Sequence, residues 1–289
     1  STSVSHLNKG FSAGFFDAVK NPNSRLLSVG GICEDAMGGI MSGIASFGHH
    51  MGIGSSYGAF IAALQHVPAR LHAIGQQTKF LTTGERQNPF VIVCGHAGPK
   101  TGEDGPTHAD PQALQLFQEN FPKGGMVTLT PWDPSEIWPL FVTVLKVRPA
   151  VIAPFVPRPG DLIIDREKLG LPPAHECSKG MYALRRPAKS TGTIVLQGNG
   201  VASIFVNEVL PVLDEKGLKF NVYYVASAEL FDFLPKAEQE KIFPEAFAQE
   251  AMGITEFTLP TMYRWVQSSD GRSRTLHPFM QDHFLGSGQ

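Results

Sequence analysis

The sequence predicts an α/β protein made of two consecutive units, and three observations predict it. Short apolar runs, Phe90–Cys94, Met126–Thr130 and Ala150–Val156, alternate with helical stretches, the pattern of a sheet covered by helices. A second alternation begins with Thr193–Gln197 and Phe220–Val225. Between them, residues 161–190 are rich in Pro, Lys and Arg and weakly periodic, as a boundary between units is. At 289 residues the chain is long enough for two cores. The expected division is a first domain over 1–165, a linker over 166–190 and a second domain over 191–289.

Taken in order, Leu7 to Ala18 has helical spacing, with Phe11, Phe15 and Val19 on one side, and Asn21-Pro22-Asn23 ends it. Leu26–Val29 reads as a strand broken by Gly30-Gly31. Glu34-Asp35 then open a glycine-rich helix reaching about Phe47, acidic in its first turn as the helix dipole favours. Gly38, Gly39 and Gly43 each cost that helix about 1 kcal/mol against Ala, so they predict close backbone approach to another element or subunit. A second helix covers 56–76, kinked or shortened at Pro68. After strand Phe90–Cys94 come a turn at 102–108 and a helix over Pro111–Glu119. Asp133-Pro134-Ser135-Glu136 start a helix to about Lys146, and Pro157-Arg158-Pro159-Gly160 stop strand Ala150–Val156. In the second unit, Gly198-Asn199-Gly200 turn into a helix over 201–216, and a short helix covers 235–242.

Composition excludes several classes. Hydrophobic content of 42% and charged content of 17% describe a rather uncharged globular protein. The net charge of -2, with no basic cluster in the sequence, argues against nucleic acid. Cys33, Cys94 and Cys177 have no metal-type spacing, and their odd number favours a reducing, cytoplasmic setting over a disulfide framework. No signal peptide is visible. From Ala36 to Ala69 there is no Asp, Glu, Lys or Arg, but His49-His50, the glycines and Pro68 interrupt the run, whereas a membrane span wants about 20 continuous apolar residues. The stretch reads as two short helices buried in protein, and predicts a tight homodimer contact.

The most informative segment is Gly102-Glu103-Asp104-Gly105-Pro106-Thr107-His108. Two glycines and a proline force a turn, and carboxylates, a hydroxyl and an imidazole are packed into it. It follows a buried strand, and open α/β sheets bind ligands beyond the C-terminal ends of their strands.

Gly31-Ile32-Cys33-Glu34-Asp35-Ala36-Met37, Tyr57-Gly58-Ala59-Phe60 and Gly102 to His108, in this order, resemble transketolases. Val225-Ala226-Ser227-Ala228-Glu229-Leu230-Phe231-Asp232 resembles their C-terminal domain. The resemblance runs over nearly the whole chain, but only to the family's pyrimidine-binding and C-terminal domains. It implies a thiamine-diphosphate pyrimidine-binding fold followed by a transketolase C-terminal-like domain. It also implies transfer of a two-carbon ketol unit from a ketose to an aldose.

By resemblance, Glu34 hydrogen-bonds the aminopyrimidine of thiamine diphosphate and activates it, which asks for a poorly hydrated carboxyl of raised pKa. Asp35 is then the capping acid. Tyr57 and Phe60, at i and i+3 on a helix, are the stacking platform, Tyr57 standing where the family commonly has Phe. His96, Asp104, His108 and Arg158 bind substrate. His96 and Arg158 would face phosphate, Asp104 and His108 the donor hydroxyls, and both imidazoles could move protons. His49, His50, His66 and His72 are assigned structural or interfacial places.

The departures from the family pattern carry expectations too. The diphosphate and Mg²⁺ are bound in transketolases by a separate domain with a Gly-Asp-Gly motif, which does not occur here. The metal ligands are therefore expected on a partner chain or a further domain, in a heterotetramer built on a homodimer of this chain. Arg25 to Gly31 is short against the family, which puts phosphorylated sugars in question, and the final residues stop before the family's last helix, as a truncated end would. Three alternatives stay open. 1-Deoxyxylulose-5-phosphate synthase shares Asp-Gly-Pro-Thr-His, although Glu229-Leu230-Phe231-Asp232 favours transketolase. The beta chain of a 2-oxo-acid dehydrogenase usually builds the loop differently. A non-catalytic assembly subunit would have no need of Glu34.

Overall fold

The computed structural model describes residues 14–95, 97–98, 108–118, 120–157, 160 and 163–280. Two four-stranded sheets organise them. The first contains β1 (Gly52–Tyr57), β2 (Phe90–Gly95), β3 (Met126–Leu129) and β4 (Val151–Val156) in the order β1-β2-β4-β3, all parallel. The second contains β5 (Met181–Arg185), β6 (Thr193–Gln197), β7 (Asn221–Val225) and β8 (Met252–Thr255) in the order β5-β7-β6-β8. There β5 is antiparallel to β7 and the other pairs are parallel. Parallel strands buried on both faces are predominantly apolar, and so are β2, β3 and β4, with Thr128 of β3 the buried polar exception.

Helix α1 (Glu34–Phe47) begins and ends where the sequence places it. The following residues do not form one helix. Gly52–Tyr57 is a strand, and the helical stretch is 3-10 at Gly58–Phe60, α at Ala62–Leu64, π at Gln65–Ala69 around Pro68, then α2 (Arg70–Thr83). Pro68 has no N–H to donate, so the ladder widens at that point rather than breaking.

The α1 glycines divide into two kinds. A Cβ on Gly38 would come within 2.7 Å of Pro68, and one on Gly52 in β1 within 1.8 Å of the Met41 carbonyl oxygen. Helix α1 thus lies directly on β1 and on the π turn, as expected of Gly38. Gly39 and Gly43 have nothing within 4 Å.

Three other expectations are corrected. From Gly14 to Ala18 there is no helix, because Asp17 accepts the backbone N–H groups of Val19 and Lys20 in a local turn. Residues 7–13 lie outside the described residues. Leu26–Val29 forms no strand and pairs with none among the described residues. The stretch 166–190 is not a bare linker, since β5 lies within it and forms the edge of the second sheet.

The two sheets share a core in which Val127, Leu129 and Trp132 pack with Tyr182, Leu196 and Tyr224. Hydrogen bonds cross the same boundary. Glu229 accepts from the N–H and hydroxyl of Thr128 at 3.0 and 2.7 Å, and Thr130 donates to the backbone of Ala226 and Val225.

Candidate functional site

The C-terminal edge of the first sheet gathers the residues of interest. Ser56 and Tyr57 close β1 in register with Cys94 and Gly95, which close β2. Helix α1 starts beside them, and Glu34 Oε1 accepts a hydrogen bond from the Ser56 hydroxyl at 2.9 Å. Glu34 is half-buried in this chain, and Ser56, which no motif marks, fixes its carboxylate. Asp35 is exposed and does not cap the helix; the N-cap is Cys33, with no side-chain bond.

Tyr57 and Phe60 come together, although not along an α-helix. Tyr57 is the last residue of β1, and Phe60 returns beside it because a 3-10 turn closes on the strand end. Their ring centroids lie 6.3 Å apart at 46°. His108 stands edge-on to both rings, 5.4 Å from Tyr57 and 5.7 Å from Phe60. Phe60 remains 43% exposed, so a flat aromatic surface faces outward beside a carboxylate.

The loop that carries His108 is tied at both ends. Ala97 bridges Asp110 and donates its N–H to Val156 O, bringing the ends of β2 and β4 together. Asp110 turns the chain by accepting the Gln112 N–H at 2.7 Å, and burial raises its pKa. Gly98, at φ 77, lies against Glu256, and so does Gly198, at φ 117. Glu256 is buried and accepts the Gly200 N–H at 2.7 Å, so one carboxylate of the second unit seats the start of the loop. His96, Asp104 and Arg158 lie outside the described residues, as does the loop from 99 to 107.

A second ionisable cluster lies past β3. Arg166 bonds Asp133 at 2.7 Å and Glu136 at 2.9 Å, and its guanidinium lies 4.9 Å from the centre of the Trp132 ring. The Tyr182 hydroxyl also donates to Glu136. Complete burial pushes the Glu136 carboxyl up to about 7, against the opposing pull of Arg166. One guanidinium for two buried carboxylates leaves an excess negative charge, which favours the neutral form of Glu136. The cluster welds the first sheet to β5 and lay beyond the reach of sequence reasoning. His72, buried between Ser46 and the Asn88 carbonyl, is structural, and burial lowers its pKa.

Among the described residues no three His, Cys, Asp or Glu side chains are grouped to hold a metal ion, and no helix is long and apolar enough to cross a membrane. All three cysteines are free. Glu34 and the aromatic surface fit the pyrimidine end of thiamine diphosphate, a flat ring with nitrogens at its edge.

A parallel sheet that presents a carboxylate and an open aromatic surface at its C-terminal edge defines the class of α/β fold to which the chain is compared. The family described as transketolase, pyrimidine binding domain, matches residues 5–158, and the chain belongs to that family. A transketolase of Aquifex aeolicus is 24% identical over 214 residues, 74% of this chain and 28% of its own length. The structure of transketolase from Leishmania mexicana superposes with a TM-score of 0.71 at 17% identity, over 90% of this chain and 34% of that one. A structure described as a split gene transketolase, inactive beta4 tetramer, superposes with a TM-score of 0.54 at 15% identity, over 91% of this chain and 77% of that one. The chain spans about a third of the length of the curated transketolases it matches.

Proposed function

We propose that this chain is the pyrimidine-binding and C-terminal portion of a thiamine-diphosphate-dependent transketolase. One observation carries the reading: Glu34, held by Ser56, stands at the edge where Tyr57, Phe60 and His108 form an aromatic surface. Thiamine diphosphate supplies a carbon nucleophile able to take up and release a two-carbon ketol unit. Glu34 holds a proton at the pyrimidine edge, where a carboxylate fixed by one hydroxyl keeps its second oxygen for the ring. Phe60 and Tyr57 seat the ring by stacking. His108 orients the donor sugar and can pass a proton to a hydroxyl, together with His96 and Asp104; Arg158 binds a substrate phosphate.

The diphosphate and Mg²⁺ sites belong, in this reading, to another domain or subunit. The likeness to a chain described as a split gene transketolase, inactive beta4 tetramer, supports reading this chain as one subunit of a split enzyme, and we place two copies of it in a heterotetramer. Ile40, Phe47, Ile53, Val67 and Leu71 are exposed on and around α1 and α2, and Gly39 and Gly43 are open, as a face awaiting a subunit would be.

The test is ketol transfer by the purified chain with thiamine diphosphate and Mg²⁺, alone and with a candidate diphosphate-binding chain. Activity that requires the partner and is lost in Glu34→Ala supports the reading. Activity unchanged by Glu34→Ala, or synthesis from pyruvate instead of a ketose donor, overturns it.

A further inference from the structure

The sequence holds no basic cluster, yet the fold builds one. A cleft of about 320 Å³ opens between α2 and the segment leading into β3. Arg70, Arg86 and Lys123 line it, and Ile74, Phe80 and Phe121 give it an apolar floor. No carboxylate lines it among the described residues, in a chain whose net charge is -2. The volume falls within the range of small-molecule sites, roughly 300–1,000 Å³.

Each cation is placed differently. Arg86 is built in: it donates to the Val147 and Arg148 carbonyls at 3.3 and 3.1 Å, and its guanidinium lies 5.2 Å from the centre of the Phe80 ring. Lys123 is anchored by one N–H on the Asp232 carbonyl at 3.0 Å, which leaves two donors. Arg70, at the first turn of α2, has no hydrogen-bond or ion-pair partner among the described residues. Three positive groups around an apolar floor, with no carboxylate among the described lining residues, suit a multiply charged anion with an apolar or planar body. Guanidinium forks match phosphate oxygens in particular.

The cleft is separate from the site described above. Arg86 precedes β2 and Lys123 precedes β3, so the cleft lies at the N-terminal edge of the parallel sheet. Tyr57, Gly95 and Ala97 mark the opposite edge. Six-residue strands hold the two edges about 20 Å apart.

We infer that the Arg70–Arg86–Lys123 cleft is a binding site for a small organic phosphate, distinct from the cofactor and sugar site. The inference does not depend on the proposed function. Titration calorimetry with phenyl phosphate tests it, using the intact chain and the variants Arg70→Glu, Lys123→Glu and Glu34→Ala. The expected result is saturable binding at a single site, weakened about tenfold by either charge reversal and by added salt, and unchanged by Glu34→Ala. Inorganic phosphate, lacking the ring, should bind more weakly. Arg70→Glu removes no hydrogen bond or ion pair among the described residues, and its far-ultraviolet circular dichroism should match the parent. No saturable binding at millimolar phenyl phosphate overturns the inference, as does binding that both charge reversals leave intact.

Discussion

The Ser56 hydroxyl donates to Glu34 Oε1 at 2.9 Å, tying the penultimate residue of β1 to the first residue of α1. The bond leaves one carboxylate oxygen for a ligand and restricts the rotation of the side chain. Replacing Glu34 by Gln is expected to lower ketol transfer by about 10²–10⁴, the range of a positioned acid–base group, with the fold intact. Ser56→Ala should lower kcat by about tenfold, the worth of one hydrogen bond to a charged group, and Ser56→Thr should restore most of it. Steady-state kinetics of the assembled enzyme check both; equal kcat in Ser56→Ala and the parent would remove Ser56 from the positioning of Glu34.

Phe60 is the most open ring of the aromatic group, while Tyr57 is backed by His108 at 5.4 Å. Phe60→Ala is therefore expected to weaken thiamine diphosphate binding by about tenfold, from lost stacking and lost apolar area. Tyr57→Phe keeps the ring and should stay within about threefold of the parent. His108→Ala should raise KM for the donor more than it changes cofactor affinity. Fluorescence titration of cofactor and donor-dependent kinetics separate the three.

Glycines of α1 and of the strand beneath it give opposite outcomes. Gly52→Ala places a Cβ on the Met41 carbonyl and should abolish soluble expression, since β1 cannot move away without losing β2. Gly39→Ala meets nothing and gains helix propensity, about 1 kcal/mol in the isolated chain. On the proposed subunit face the same methyl should weaken self-association. Thermal melts and sedimentation of Gly39→Ala should therefore move in opposite senses; a rise in both places Gly39 on open surface.

Much of the first sheet was legible because β2, β3 and β4 are continuous apolar runs bounded by turns. Helix α1 was legible from its acidic start and its end at Gly48, which takes the left-handed conformation. β1 was not. Gly52-Ile53-Gly54-Ser55-Ser56-Tyr57 lacks the β-branched pattern of a strand, and its glycines serve the contact with α1. β5 was lost in a Pro-, Lys- and Arg-rich stretch because only pairing with β7, far along the chain, makes it a strand. Tyr57, Phe60 and His108 could be named from local motifs, and the structure brings them together. Ser56 and Glu256 act through contacts between distant segments, which no local pattern encodes.

The buried Glu136 makes a pH prediction whose sign follows from its environment. Burial raises its carboxyl from 4.5 to about 7, so the folded state holds a proton that the unfolded chain releases from pH 4.5 upward. Its contribution is complete below pH 4.5, is lost as pH rises toward 7, and is level above that. A shift of this size corresponds to about 3 kcal/mol. Glu136→Gln cannot ionise and should escape the loss. It keeps an oxygen for Tyr182 and Arg166 but turns an amide toward the Trp132 N–H, a cost that does not vary with pH. The difference in Tm between variant and parent should therefore grow more positive between pH 5 and pH 8, by several degrees at about 2–4 °C per kcal/mol. Other titrating groups, His72 among them, act on both proteins alike and cancel in the difference. A difference that stays constant with pH would mean that Glu136 is ionised throughout, its charge carried by Arg166 despite the competing Asp133.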